Sequence, residues 1–139
     1  MYLIDTNVLS ELRKRKRAHA GVTAFFADAT ARNAELFVSA LTIGELRRGV
    51  ELIRNRGDRP QALRLEAWLA TLMDDFDEHI LPIDTDVAQM WGALRVPHHE
   101  NALDKLIAAT AAIHGLTVVT RNEAHFRDTR VPIINPFSV

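Results

Sequence analysis

An apolar run that stops abruptly at an acid limits what this chain can become. In Met1 to Leu12, MYLIDTNVLSEL, residues Tyr2, Leu3 and Ile4 are β-favouring, Asp5, Thr6 and Asn7 are turn or capping types, and Val8, Leu9 and Leu12 resume at helical spacing. A strand therefore hands over to a helix at Asp5. In an open α/β sheet ligands bind outside the carboxyl ends of the strands, which is where this side chain would stand. A purely structural role competes, because Asp5 or Thr6 would also cap the free N–H groups of the helix.

The same grammar continues along the chain. Val22, Phe25, Phe26 and Ala29 mark a helix reaching about Ala31, and Leu36 to Val38 form a short strand. From Ser39 a turn leads into a helix running to about Arg56, which Gly57, Asp58 and Pro60 break. Leu65, Trp68, Leu69, Leu72, Met73 and Phe76 then share one continuous helical face, expected to be core or subunit interface. Ile80 to Ile83 reads as a third strand, and Pro82 marks it as a sheet edge or strand end. A helix from about Thr85 to Arg95 precedes Pro97, and one from about Ala102 to His114 ends at Gly115, a left-handed cap. Leu116 to Val119 and Val131 to Ile134 supply the last strands. Strands alternating with helices predict an α/β fold with a central parallel sheet of four to five short strands flanked by helices, in a single domain spanning residues 1–139.

Composition narrows the chemistry. With 139 residues, 47% of them hydrophobic, the chain can bury a core without disulfides, and having no cysteine it can build neither a disulfide framework nor a Cys-based zinc site. Asp5 and Glu11 interrupt the first apolar run and RKRKR follows it, so no secretory signal is expected, nor any membrane span, and a reducing cytoplasm is compatible. The net charge is -1, yet 12 of the 17 basic residues lie before residue 65 and 14 of the 17 are Arg. Arg binds phosphate bidentately, which fits a nucleic-acid backbone, although a solvated helix face interleaved with Glu11, Glu51 and Glu66 would have the same composition.

Topology brings the acids together. Glu45 is expected in the first turn of the helix after the second strand, and Asp104 in the first turn of the helix that returns to the fourth. Both helix starts lie at the carboxyl edge of the sheet, beside Asp5. Capping explains each one separately: Thr42 and Glu45 have capping-box spacing, as do Asn101 and Asp104, and acids in a first turn favour the helix dipole. It does not explain why all three meet at one edge. Clustered carboxylates repel unless one is protonated or a cation intervenes, and an all-oxygen set favours a hard ion, Mg2+ or Mn2+. The six histidines form no comparable set. His98 and His99 read as loop residues, His19, His79 and His114 as surface or helix-end residues, and a zinc enzyme is not expected.

MYLIDTNVLSEL, SALTIGELRRGVE, ALDKLIAATAAIHGLTVVTRN and VPIINPF together resemble the bacterial PIN-domain proteins. More narrowly, they resemble the VapC-type toxins of type II toxin-antitoxin systems, in the subgroup that includes FitB. The resemblance runs over nearly the whole chain. It implies a metal-dependent ribonuclease in which Asp5, Glu45 and Asp104 hold Mg2+ or Mn2+, directly or through water, and Thr6 supports the first acid. Glu45 or Asp104 would orient or deprotonate the attacking water, and some of Arg13 to Arg17, Arg47, Arg48 and Arg121 would hold the RNA backbone. Many members carry a fourth acid beyond the last core strand, where this chain has Asn122 and His125, with Glu123 and Asp128 nearby. Asn122 would hold a water without adding charge, and His125 would meet a phosphate or a second ion. The implied partners are an RNA substrate, a cognate antitoxin, a second copy of the chain as a homodimer, and operator DNA only through the antitoxin.

Other classes make different demands. A non-catalytic RNA-binding or regulatory PIN module would explain the altered fourth position. A receiver domain wants paired acids after the first strand and Lys after the last core strand, where Asp5-Thr6 and Thr120-Arg121 stand. A haloacid-type phosphatase wants Asp where Asn7 stands.

Overall fold

The computed structural model describes residues 1–138. Its strands are β1 (Tyr2–Ile4), β2 (Leu36–Ser39), β3 (Ile80–Leu81), β4 (Thr117–Val119) and β5 (Ile133–Ile134), and they form one parallel sheet in the order β3-β2-β1-β4-β5. The helices are α1 (Thr6–Leu12), α2 (Ala20–Ala31), α3 (Ala40–Asn55), α4 (Arg59–Phe76), α5 (Thr85–Leu94) and α6 (Ala102–His114). β1 is the central strand, with Tyr2 opposite both Leu36 and Thr117. The expected α/β architecture is therefore present, and β3 is the edge strand that Pro82 indicated.

Successive strand residues face opposite ways, and the core divides accordingly. Leu3 and Val118, with Phe37, Leu81 and Ile133 at the margin, pack against Ile107, Ala108 and Ala111 of α6 and Leu94 of α5. Ile4, Val38 and Val119 turn the other way, onto Val8 and Leu9 of α1, Val22 of α2 and Leu72 of α4. Both faces of the sheet are covered, which is why these strands read as unbroken apolar runs. A smaller cluster of Val50, Ala62 and Leu69 joins α3 to α4.

The Leu65 to Phe76 face packs into the core, one of the two roles expected for it: Leu69 and Leu72 are buried and Trp68, Met73 and Phe76 pack against buried clusters. Two expectations change. Pro60 does not separate helices: it lies in the first turn of α4, where a missing N–H costs nothing, behind the N-cap Asp58. α3 follows β2 without an intervening turn, because Ser39, the last strand residue, is itself the N-cap, its Oγ accepting from the Leu41 N–H at 3.0 Å. Gly115 adopts the expected left-handed conformation at φ 66°. Lys105 of α6 is buried and donates from Nζ to the His98 carbonyl, tying the preceding loop to the helix.

Candidate active site

Asp5 leaves β1 at the carboxyl edge and is 3% exposed. It does cap α1, with Oδ1 accepting from the Thr6 N–H at 2.8 Å, but its second oxygen faces elsewhere. Oδ2 accepts from Thr120 Oγ1 at 2.8 Å and from Asn7 Nδ2 at 3.2 Å. Thr120 follows β4, the neighbour of β1, and its hydroxyl also accepts from the Asn122 N–H at 3.0 Å. Asn7 Oδ1 in turn accepts from the Arg121 N–H at 3.0 Å. The two strand ends are thus stitched together around one carboxylate.

Glu45 departs from the capping-box expectation. Because α3 begins at Ala40, Glu45 falls in the second turn, out of position for the Thr42 N–H. Its Oε1 instead accepts from Thr6 Oγ1 at 2.7 Å, and Thr42 Oγ1 lies 3.2 Å from the same hydroxyl. With one hydrogen to give, Thr6 donates to the carboxylate and accepts from Thr42. Thr6 therefore joins the first acid's helix to the second acid. Asp104 lies in the first turn of α6 below Asn101, which makes no side-chain cap bond. The Asp104 carboxylate is half-buried, and its Oδ2 lies 2.6 Å from Nδ1 of the more exposed His125.

Burial is the main cause that pushes the Asp5 carboxyl up from 3.8 to about 6, against the lowering hydrogen bonds from Thr120 and Thr6, and the charges of Asp104 and Glu45 raise it further. Asp5 is thus a buried anion made costly by two other acids. A hard cation among them would reverse the repulsion, and the all-oxygen donor set suits such an ion, so these residues fit the divalent metal that the fold family implies. The acids interact electrostatically without closing tightly. Among the described residues, the group whose ligand atoms all lie within 4.8 Å of one another is a different one, the exposed His98, Glu100 and Asp128.

The remaining sequence candidates divide. Asn122 offers its backbone to Thr120, and its side chain makes no hydrogen bond to the acids among the described residues. Glu123 is exposed and accepts from Asn135 Nδ2 at 3.0 Å. Arg47 is held by Glu66 at 2.6 Å and Glu51 at 3.2 Å, in a network that Arg54 completes between α3 and α4. Arg48 is exposed and has no such partner among the described residues. Arg121 is exposed, its guanidinium 4.6 Å from the centre of the Phe137 ring. Thr120, Asn7 and Thr42 are contributors that the sequence reading did not assign to the site. The available signal was a hydroxyl at the end of the strand paired with β1.

The PIN domain model matches residues 2–132. Toxin FitB of Neisseria gonorrhoeae is 37% identical over 99% of both chains, and VapC ribonuclease Y4jK of Sinorhizobium fredii is 32% identical over 99% of this chain and 98% of its own. The crystal structure of FitAcB from Neisseria gonorrhoeae superposes with a TM-score of 0.86 at 34% identity, covering both chains completely. The carboxyl-edge acids, the strand order and these likenesses agree: the chain belongs to the PIN-domain family, in the branch of FitB and the VapC proteins.

Proposed function

We propose that this protein is a divalent-metal-dependent endoribonuclease acting as the toxin of a bacterial toxin-antitoxin pair. The observation that carries this reading is the meeting of Asp5, Glu45 and Asp104 at one sheet edge, close enough for the latter two to raise the pKa of the first. The VapC ribonuclease and FitB relatives support the activity and the role.

Asp5, Glu45 and Asp104 would hold Mg2+ or Mn2+, which would supply Lewis acidity to the scissile phosphodiester and to an attacking water. Thr6 fixes the Glu45 carboxylate, and Thr120 with the Thr6 N–H keeps Asp5 ionisable despite its burial. Glu45 or Asp104 accepts the proton of the water. Arg48 and Arg121, with the basic segment Arg13 to Arg17, bind the RNA backbone. A cognate antitoxin blocks the site, a second copy completes a homodimer, and DNA is reached through the antitoxin, a reading supported by FitAB having been solved on the IR36 DNA fragment. No helix among the described residues is long and apolar enough to cross a membrane, which is compatible with a cytoplasmic place of action.

The test is cleavage of total RNA and a tRNA panel by antitoxin-free protein with Mg2+, Mn2+ or EDTA, beside Asp5→Asn. Metal-dependent cutting that vanishes in the variant is expected. The pairing of His125 with Asp104 favours one rival, a non-catalytic RNA-binding PIN module. Binding without cleavage under either metal would establish that rival instead.

A further inference from the structure

A cavity of about 310 Å3 opens between α1, α3 and α4, and Thr6 and Glu45 belong to its lining. Leu46, Leu65 and Trp68 give it apolar walls. Two cations also line it, Arg13 and Arg56, both exposed and neither within 4.0 Å of a carboxylate among the described residues. Arg47 and Arg54, by contrast, are occupied by Glu51 and Glu66. The side chains of Ser10 and Gln61, also in the lining, make no hydrogen bond among the described residues. Gly49 lies inside α3, where glycine weakens a helix. No positive φ requires it and no neighbour crowds it, since an added Cβ would meet nothing within 4 Å. Its effect is to leave the cavity open.

We propose that this cavity receives one nucleobase of the substrate RNA, beside the bond that is cut, with Arg13 and Arg56 reaching the flanking phosphates. This rests on the ribonuclease reading and adds to it a source of sequence preference. Phosphate contacts position a strand, whereas contacts to a base specify it. The volume lies near the lower end of the roughly 300–1,000 Å3 usual for small-ligand sites, which suits a single base better than an extended row of side chains. Trp68 supplies the aromatic surface on which any base gains by stacking. Ser10 and Gln61 supply the polar groups that distinguish one base edge from another. Unpaired cations beside an apolar slot complement a phosphate-linked base.

Gly49→Leu tests the proposal by filling the cavity from inside a helix that the substitution favours. Tryptophan emission is titrated with AMP, GMP, CMP and UMP, and the cuts in total RNA are mapped for wild type and variant. At least one nucleotide should quench the wild type saturably. Gly49→Leu should weaken that binding by about tenfold or more and slow or redistribute the cuts, with Mn2+ binding unchanged. Wild-type cleavage reproduced at the same rate and positions by Gly49→Leu would overturn the base site while leaving the nuclease intact. No cleavage by the wild type would instead count against the ribonuclease reading, because nucleotide quenching is measured without it. Emission indifferent to all four nucleotides, with Gly49→Leu losing only its complex with the protein encoded beside it, would overturn the proposal in favour of a protein-docking groove. Should the variant fail to fold by circular dichroism, Gln61→Leu serves in its place: a changed nucleotide preference supports the base site, and an unchanged one refutes it.

Discussion

His125 Nδ1 stands 2.6 Å from Asp104 Oδ2, so the acid contributed by α6 is held by a base in the segment where the family resemblance implies another acid. A histidine in that place orients the carboxylate without adding negative charge. One Mn2+ per chain is therefore expected by calorimetry. Outer partners of ligating carboxylates are worth about 10–100-fold in metal affinity or activity, and His125→Ala should lose an amount in that range. His125→Asp should gain a second, weaker ion. Two ions in the wild type would contradict the assignment.

Burial of Asp5 fixes a pH dependence whose sign is definite. Its pKa in the folded protein is about 6 against 3.8 for the free group. A group raised in this way favours folding fully below the lower value and loses that contribution as pH rises through the upper one. About 2 units correspond to about 3 kcal/mol, lost between roughly pH 4 and 6. Asp5→Asn removes the titration, so in urea at pH 7 the variant should be at least as stable as the wild type in the absence of metal, and inactive. Added Mn2+ should stabilise only the wild type at that pH. A variant that loses as much stability between pH 4 and pH 7 as the wild type would place the loss elsewhere.

The arginines differ in what they have to give. Arg47 is bound to Glu66 and Glu51, whereas Arg48 and Arg121 are exposed and neither is paired with a carboxylate among the described residues. In an Asp5→Asn background that binds without cutting, Arg48→Ala and Arg121→Ala should each lower the salt slope of single-stranded RNA binding by about 0.7. Arg47→Ala should lower it less. Fluorescence anisotropy over a range of KCl concentrations measures this, and an equal loss from all three would mean that RNA displaces the glutamates.

The strands and the acids were legible because each is a local pattern: Tyr2 to Ile4 before Asp5, Leu36 to Val38 before a helix, Leu116 to Val119 before Thr120. What joins them was not local. The capping-box spacing of Thr42 and Glu45 suggested a bond within one helix, but starting α3 at Ala40 turned Glu45 toward Thr6, 39 residues away. The apolar face of α4 was visible, while its burial depended on where α3 lay. Thr120 was legible only as a strand end, since its role depends on β4 pairing with β1 across 115 residues.

Thr120 accordingly gives the sharpest test of the site's construction. Its side chain is fully buried, donates to Asp5 Oδ2 and accepts from the Asn122 N–H. Thr120→Val keeps the shape and removes both bonds. Leaving a buried donor or acceptor unsatisfied costs about 1–3 kcal/mol, so the midpoint of urea unfolding should fall. The bond from Thr120 is also the largest of the effects holding the Asp5 pKa down, so its loss should raise that pKa further. More of Asp5 is then protonated near neutrality, and the acid limb of the activity profile should move to higher pH. Thr120→Ser restores the hydroxyl and should restore the limb, even if the missing methyl group leaves some instability. That separation is the informative result, because a merely structural Thr120 would lose stability in the valine variant while the pH profile stayed where it was.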